Sequence, residues 1–397
     1  MKKIPKTLTV KDIESFYTYL YSNSESFDLM LPSSIKSFDF GITTLLIQYI
    51  NTWFRLRSGN LIIDVKEDYS DLEDIVKMDF VFPSIVMSWD KGIFDKKLNN
   101  LKPRIRPVNE QMIESMQALE NIPLFNKTFI RQKGMKSLLT CFDHLPPEKG
   151  YLDCFYLNQS FIPSEEYLTN SLEDTLNYVL SFNSRGKQNI RPIKNDLVSI
   201  IFELMKNTHD WARTDNNSKS LNPNTRGLLI KFVKGSKDSY VENYKDHRGL
   251  KTYFDSFSTN DKNELYFIEI SVFDSGIGFV KKFTSNDEIV DINEQVRIIK
   301  QCLVKHNTSD KSLEKENKGI GLDKIMQVLN QKGLFMIRTS NAFVFRNMKS
   351  NPYVISRNED DIELFDWSTS SNQSFTRFNE CVGSNVTIVY PIIITNE

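Results

Sequence analysis

The sequence has little of what marks a disulfide-bonded, zinc-binding or membrane protein. Its four cysteines stand far apart and form no C-x-x-C pair, which argues against a disulfide framework and against a zinc site. No segment approaches the roughly 18 uninterrupted apolar residues of a membrane span. The basic amino terminus is followed by Thr, Lys, Asp and Glu where a secretory signal needs an apolar run. We therefore expect a cytoplasmic protein without a membrane partner.

The charge balance excludes another broad class of partner. Fifty Lys and Arg residues nearly cancel 51 Asp and Glu residues, and the net charge of -1 gives no overall argument for nucleic acid binding. Hydrophobic residues make up 40% and charged residues 25% of the chain, as in globular proteins. At 397 residues, and without internal repeats, the chain is long enough for two or three domains.

Residues 1–150 are predicted to form an amino-terminal α/β module. Apolar residues recur at helical spacing from Ile42 to Phe54, and the run Leu61–Val65 has the length and composition of a strand. Helix-like stretches follow at Tyr69–Met78 and Pro83–Asp95. The order helix, strand, helix favours an α/β fold.

A basic stretch and a proline pair follow this module. Lys96–Arg106 is interpreted either as a contact for phosphates or an acidic partner, or as a solvated linker. Pro146, Pro147 and Gly150 indicate a boundary. Residues 151–190 are then predicted to be a helical connector, with one helix over residues 164–182.

The segment Leu197–Ala212 is predicted to be an amphipathic helix with a polar seam. Its apolar residues recur every three or four positions. Glu203, Asn207 and Asp210 are spaced so that a helix places two carboxylates and a carboxamide along one side. This seam is either a solvated face or a ligand site.

A strand that ends in a glycine-rich turn is the second informative feature. Arg226–Val233 and Leu265–Phe273 are predicted strands, and the second runs directly into Asp274-Ser-Gly276-Ile-Gly278. Glycines there allow positive φ and a close approach of a ligand, although a plain strand-ending turn has the same pattern. Residues 234–263 between these strands form an unusually long connection, which is expected to serve a partner.

A second glycine pair precedes a predicted helix further along the chain. Asn317-Lys-Gly319-Ile-Gly321 does not match the Walker A pattern. A glycine-rich loop at the start of a helix nevertheless presents backbone N–H groups that can bind phosphates. A hairpin around Thr339-Ser-Asn341 follows, and the last predicted strand is Asn385–Tyr390.

In this order, the motifs resemble the GHKL ATPase superfamily, which is shared by gyrase, the MutL proteins, a class of heat-shock chaperones and histidine kinases. The resemblance covers about residues 190–393. It implies that residues 191–397 form an α/β sandwich, with a mixed, mainly antiparallel sheet covered by helices on one face. It also implies a site for ATP and Mg²⁺ formed by Glu203, Asn207, Asp210, Asp274, Gly276, Gly278, Lys318, Gly319, Gly321 and Ser384.

The resemblance also implies a role for each of these residues. Asn207 would coordinate Mg²⁺ at the phosphates, Asp274 would hold the adenine amine with support from Ser384, and Asp210 would line the pocket. Glu203 stands where a general base orients water toward the γ-phosphate.

The glycines in the motifs would shape the pocket and its lid. Gly276 and Gly278 would shape the adenine pocket, whereas Gly319 and Gly321 would let a lid between Phe279 and Lys318 close on the phosphates.

The chain departs from the family in the cation that hydrolysis requires. Gyrase and MutL proteins supply a lysine from a following domain, but this sequence ends at Glu397, so a cation would come from Lys318, the lid or a partner. We therefore expect slow or partner-stimulated ATP hydrolysis and a nucleotide-driven conformational switch. His144, followed by two prolines, is a poor acceptor for autophosphorylation.

Two alternatives to an ATPase remain open. Residues 30–95 resemble the STAS domains of anti-sigma-factor antagonists in the order of their elements, which suggests a protein serine/threonine kinase of the anti-sigma-factor type. The other alternative is an interaction module that only binds ATP. A protein partner would use the amino-terminal module or residues 234–263, and a homodimer is compatible with the superfamily.

Overall fold

The first hundred residues alternate strands with helices and form a small parallel sheet. The computed structural model describes residues 1–117, 136–180, 190–285, 290–304, 321–356 and 358–392. The strand order is β1-β2-β3-β4, and each neighbouring pair is parallel. The elements are β1 (Lys2–Lys3), α1 (Val10–Ser22), β2 (Leu29–Leu31), α2 (Ile42–Leu56), β3 (Leu61–Ile63), α3 (Leu72–Val76), α4 (Val81–Met87) and β4 (Ile93–Phe94).

The predicted helix at Ile42–Phe54 is confirmed as α2, and its sequence explains its depth. Eleven of its residues are buried, because apolar side chains occupy nearly every turn on more than one face. The helix begins after Gly41, which adopts the left-handed conformation with φ of 74°. An alanine side chain there would lie 2.6 Å from Thr387 Oγ1, so the glycine permits close packing on a strand.

The rest of the chain builds a seven-stranded sheet in the order β12-β11-β10-β13-β9-β8-β5. Every neighbouring pair in this sheet is antiparallel. The elements in chain order are α5 (Lys102–Gln117), β5 (Lys136–Phe142), α6 (Pro147–Gly150), β6 (Tyr156–Leu157), β7 (Ser160–Phe161), α7 (Glu165–Ser171), α8 (Glu173–Leu180), α9 (Ile190–Trp211), β8 (Thr225–Ser236), α10 (Lys237–Asn243), α11 (Arg248–Asp255), β9 (Glu264–Asp274), α12 (Phe279–Thr284), α13 (Ile292–Leu303), α14 (Gly321–Val328), β10 (Leu334–Ser340), β11 (Ala342–Asn347), a 3₁₀ helix (Glu359–Asp361), β12 (Phe365–Asp366) and β13 (Cys381–Pro391).

Helices cover both faces of the large sheet, which differs from the expectation of helices on one face. Helix α9 packs on β8 and β9, whereas α2 packs on β13 and β9. Gly41, just before α2, donates its N–H to Glu269 on β9 at 3.0 Å. Side chains alternate between the faces of a strand, so the face that meets α2 is opposite the face that carries Asp274.

The two separate modules expected from the sequence are not confirmed. The strand β5 lies before the predicted boundary at residue 150, yet it pairs with β8 along its whole length. Helix α2 connects two strands of the small parallel sheet, β2 and β3, but it packs on β13 and β9 of the large sheet. A single hydrophobic core therefore joins residues from both predicted modules.

The long connection at residues 234–263 folds into two short helices, α10 and α11, whose aromatic rings enter the core. The Tyr240 and Phe254 rings stack at 4.7 Å, and the Tyr244 and Phe254 rings at 5.3 Å. Phe40, just before α2, stacks on Phe254 at 5.8 Å. These buried rings stabilise the fold and are not available to a partner, although the polar surface of the connection is.

Within the part of the chain that the structure describes, every helix is too short or too polar to cross a bilayer.

Candidate functional site

A cavity opens where α9 faces the ends of β9 and β13. It contains about 910 Å³ of space that no atom occupies, including its mouth, which is open to solvent. Helices α12, α13 and α14 complete the wall. The lining residues are Leu204, Asn207, Thr208, Trp211, Ala212, Val272, Asp274, Gly278, Phe279, Lys282, Phe283, Cys302, Gly321, Leu322, Ser384 and Val386.

The predicted helix at Leu197–Ala212 is confirmed as part of α9, which positions one side of this cavity. Leu197, Ile200 and Ile201 are fully buried, and this apolar face fixes the rotation of the helix. The residues of α9 that line the cavity are then Leu204, Asn207, Thr208 and Trp211, which follow the i, i+3, i+4, i+7 spacing of one helix face.

The face that lines the cavity differs from the seam expected from the sequence. Asn207 lies on it, as predicted, but Glu203 and Asp210 flank it and are not among the lining residues of the described chain. The carboxylate of Asp210 pairs with Lys206, one turn back, at 2.6 Å. Its expected role in lining the pocket is therefore not supported by the geometry, because the helix turns this side chain toward Lys206.

Asp274 is the most informative residue of the cavity. It ends β9, and the residue is only 5% exposed. Its Oδ1 atom accepts hydrogen bonds from the backbone N–H groups of Gly276 at 2.9 Å and Ser384 at 3.3 Å. Within the described residues, both recorded bonds to this carboxylate end on Oδ1, which leaves Oδ2 for a ligand.

Burial raises the pKa of Asp274 to about 6, and the two backbone N–H groups oppose that rise. The carboxylate is therefore mostly ionised at neutral pH, although it lies in an apolar pocket. A buried carboxylate with a perturbed pKa, in a cavity, is a common mark of a functional site.

The glycines around Asp274 allow the backbone to approach closely. Gly383 has φ of 70°, and a Cβ atom there would lie 1.9 Å from the carbonyl oxygen of Asp274. Gly276 has no room for a side chain either, since a Cβ atom would lie 2.8 Å from Ala212 Cα. Gly278 has φ of 86° and lines the cavity. Gly278 and Gly383 therefore need glycine for their backbone conformation, whereas Gly276 needs it for steric reasons.

Ser384 takes part in a hydrogen-bond network that includes one residue not predicted from the sequence. Its hydroxyl lies 3.0 Å from Thr339 Oγ1, which also accepts the N–H of Phe279 at 3.2 Å. Thr339 thus connects β13 to the first residue of α12. The sequence gives no sign of this role, because it shows Thr339 only as part of a predicted hairpin turn. The pairing of β10 with β13 is what brings Thr339 next to Ser384.

Asn207 is the lining residue best suited to hold a metal ion together with phosphates. Its carboxamide oxygen is a hard donor, and Mg²⁺ in nucleotide sites is held by one or two protein oxygens, phosphates and water. The described residues contain no cluster of three or more His, Cys, Asp or Glu side chains that would hold a metal alone. The residues present fit Mg²⁺ only when it comes with phosphates.

Glu203 lies at the edge of the cavity, beside Gly321. A Cβ atom on Gly321 would lie 2.5 Å from Glu203 Oε2, so this glycine, which begins α14 and lines the cavity, keeps space for the carboxylate. Burial raises the pKa of Glu203, and the charge of Lys324 opposes the rise. Lys324 Nζ lies 3.8 Å from Glu203 Oε1 but bonds closely to Glu165 on α7.

The remaining predicted residues, Lys318 and Gly319, lie outside the described residues, as do residues 286–289 and 305–318 of the expected lid.

Several lining residues were not predicted from the sequence. Trp211, Phe279 and Phe283 add aromatic walls, and Cys302 reaches the cavity from α13. Lys282 brings the single cation among the described lining residues. Its Nζ donates to three oxygens of Thr214 and Asp215, each at 3.1 Å. Phe279, Lys282 and Phe283 follow the glycine turn at helical spacing, and this pattern in the sequence could have indicated that they share one helix face.

Comparisons of the chain with protein-family models, with curated proteins and with solved structures found no match. The geometry of the cavity therefore carries the functional argument.

Proposed function

We propose that the cavity binds ATP with Mg²⁺, and that the chain is a nucleotide-binding protein of the GHKL type. The single observation that carries this proposal is the position of Asp274. Its carboxylate is buried at the end of a central strand, is held at one oxygen by two backbone N–H groups, and shares a cavity with Asn207 on the facing helix.

The chemistry of the cavity suits a purine base with an exocyclic amine. An ionised carboxylate only accepts hydrogen bonds, so Oδ2 of Asp274 would accept from the amine of adenine and would repel a carbonyl at that position. The walls near it include Val272, Val386 and Leu204, which would pack on the base. This arrangement favours adenine over hypoxanthine or guanine.

Binding of ATP and ITP to wild type and to Asp274→Asn tests the assignment. The two nucleotides differ at the base, where ITP has a carbonyl in place of the amine. In the variant, the amide oxygen would keep the two backbone hydrogen bonds, and its NH₂ group would face the ligand. We expect wild type to prefer ATP, and the variant to lose that preference. Equal affinity of wild type for both nucleotides would refute the adenine site.

Hydrolysis is proposed to be slow, with Glu203 orienting the water molecule. Mg²⁺, when bound, would neutralise charge that develops on the phosphates. The position of Glu203 at the cavity edge, near Lys324, supports a site that becomes competent only after a rearrangement or the arrival of a partner. Incubation with γ-labelled ATP separates the outcomes: free phosphate indicates an ATPase, label on protein indicates a kinase, and intact bound ATP indicates an interaction module.

A further inference from the structure

Helix α2 reaches the proposed nucleotide site from the opposite face of the large sheet. Its side chains Gln48, Thr52 and Arg55 follow the i, i+4, i+7 spacing and form one polar stripe. Arg55 Nη2 donates to the carbonyl oxygens of Ser275 at 2.9 Å and Pro223 at 3.0 Å. Thr52 Oγ1 accepts the N–H of Val382 at 3.0 Å. The stripe thus bonds to backbone next to the ends of β8, β9 and β13.

Two of the backbone segments that α2 bonds are those that hold the carboxylate of Asp274. Ser275 directly follows Asp274 in the chain. Val382 precedes Gly383 and Ser384, and the N–H of Ser384 donates to Asp274 Oδ1. A displacement of α2 would therefore move both the carboxylate and one of its donors.

The interface between α2 and the sheet is polar as well as buried. Arg55 Nε, Gln48 Oε1 and both side-chain atoms of Asn51 are buried, and none has a hydrogen-bond partner within the described residues. Buried polar atoms are normally paired, so an interface with several unpaired ones is compatible with a second arrangement of α2.

Arg55 and Asp274 also interact through their charges. Burial lowers the pKa of Arg55, and the charge of Asp274 opposes that change. The other charged or titratable groups around Asp274 are Arg226 on β8, Asp143 after β5, Cys381 on β13 and Lys282 on α12. The residues of α9 that line the cavity are uncharged.

We propose that Arg55 is a positioning residue for Asp274, and that through it helix α2 sets the geometry and the charge of the adenine-binding turn. The inference rests on the proposed nucleotide site. If Arg55 has this role, ATP affinity depends on the small parallel sheet to which α2 connects.

The test compares Arg55→Met with Arg57→Met in the full chain. Arg57, which directly follows α2, is a matched control, because its guanidinium bonds to the carbonyl of Asn23 at 2.6 Å and to that of Leu20, away from the cavity. ATP is titrated calorimetrically between pH 8 and pH 5. We expect Arg55→Met to raise the dissociation constant about tenfold and to move the fall in binding to higher pH, because the lost positive charge no longer favours the ionised carboxylate. Arg57→Met is expected to match wild type.

A second measurement does not need nucleotide. The free energies of unfolding of Arg55→Met, Asp274→Asn and the double variant are compared in a double-mutant cycle. Non-additive values support the coupling, and additive values overturn it. An unchanged affinity and pH profile in folded Arg55→Met also overturns it. If wild type binds no ATP, the proposed function fails, and the cycle alone decides whether Arg55 positions Asp274.

Discussion

Lowering the pH from 7 to 5 is expected to weaken ATP binding, because the carboxylate that would accept the adenine amine titrates in this range. The pKa of Asp274 is raised by burial from 3.8 to about 6. The group is then about nine tenths ionised at pH 7 and about one tenth ionised at pH 5. A ligand that needs the ionised form binds in proportion to that fraction, so the apparent dissociation constant is expected to increase about tenfold.

Isothermal calorimetry with ATP and with adenosine is the assay for this effect. Adenosine has no phosphate that could titrate, so a change shared by both ligands comes from the protein or the base. Asp274→Asn serves as the protein control, since an amide does not titrate and its residual affinity should be independent of pH in this range. A flat adenosine profile for wild type between pH 7 and pH 5 would refute the role of Asp274.

The same pKa predicts that lowering the pH, which weakens ATP binding, stabilises the nucleotide-free protein. Because the folded pKa of Asp274 is above its unfolded value, its contribution is fully present below pH 3.8 and is lost as the pH rises through about 6. The shift corresponds to about 3 kcal/mol of unfolding free energy. We therefore expect Asp274→Asn to melt at a higher temperature than wild type at pH 8, provided nucleotide is absent. An equal or lower melting temperature would contradict the free-energy cost that is assigned here to burying the ionised carboxylate of Asp274.

Three further predictions concern Gly383, Glu203 and Arg226. Gly383→Ala is expected to destabilise the fold by about 2 kcal/mol or more and to abolish stabilisation by ATP in a thermal-shift assay, because the new methyl group would overlap the carbonyl of Asp274; a normal ATP-induced shift would contradict this. Glu203→Gln is expected to keep ATP binding and lose phosphate release, and an unchanged release rate would remove Glu203 from the reaction. Arg226→Met leaves the buried carboxylate of Asp143 without the guanidinium that lies 2.6 Å away, and urea unfolding is expected to show a loss of about 3–5 kcal/mol; a loss below 1 kcal/mol would contradict a paired, buried charge.

Local periodicity was sufficient to predict most elements of the large sheet. The predicted strands Arg226–Val233 and Leu265–Phe273 are confirmed within β8 and β9, and Asn385–Tyr390 lies within β13. Strand residues here are apolar, β-branched or aromatic, so their pattern is visible in a short window. The predicted helix over residues 164–182 is in fact two helices that meet at Leu172, a break that no glycine or proline announces.

Contacts between distant segments were not predictable in this way. Nothing local in β5 indicates that it pairs with β8, because the pairing joins residues far apart in the chain. The burial of Thr339 beside Ser384 and the bond from α2 to the turn after Asp274 have the same origin. The sequence motifs did identify Asn207, Asp274, Gly278, Gly321 and Ser384, which the fold brings to one cavity.

The end of the ladder between β9 and β13 explains why ligand and α2 would act on the same backbone. The last pair of this ladder is Asn385 with Phe273, so β13 continues past it without β9 as a neighbour. Two N–H groups in this continuation find side-chain acceptors instead: that of Ser384 bonds to Asp274, and that of Val382 bonds to Thr52 on α2. Backbone amides must be paired when buried, and here the cavity carboxylate and the helix behind the sheet pair them from opposite faces. A ligand that pulls on Asp274 would therefore act on a segment that is also hydrogen-bonded to α2.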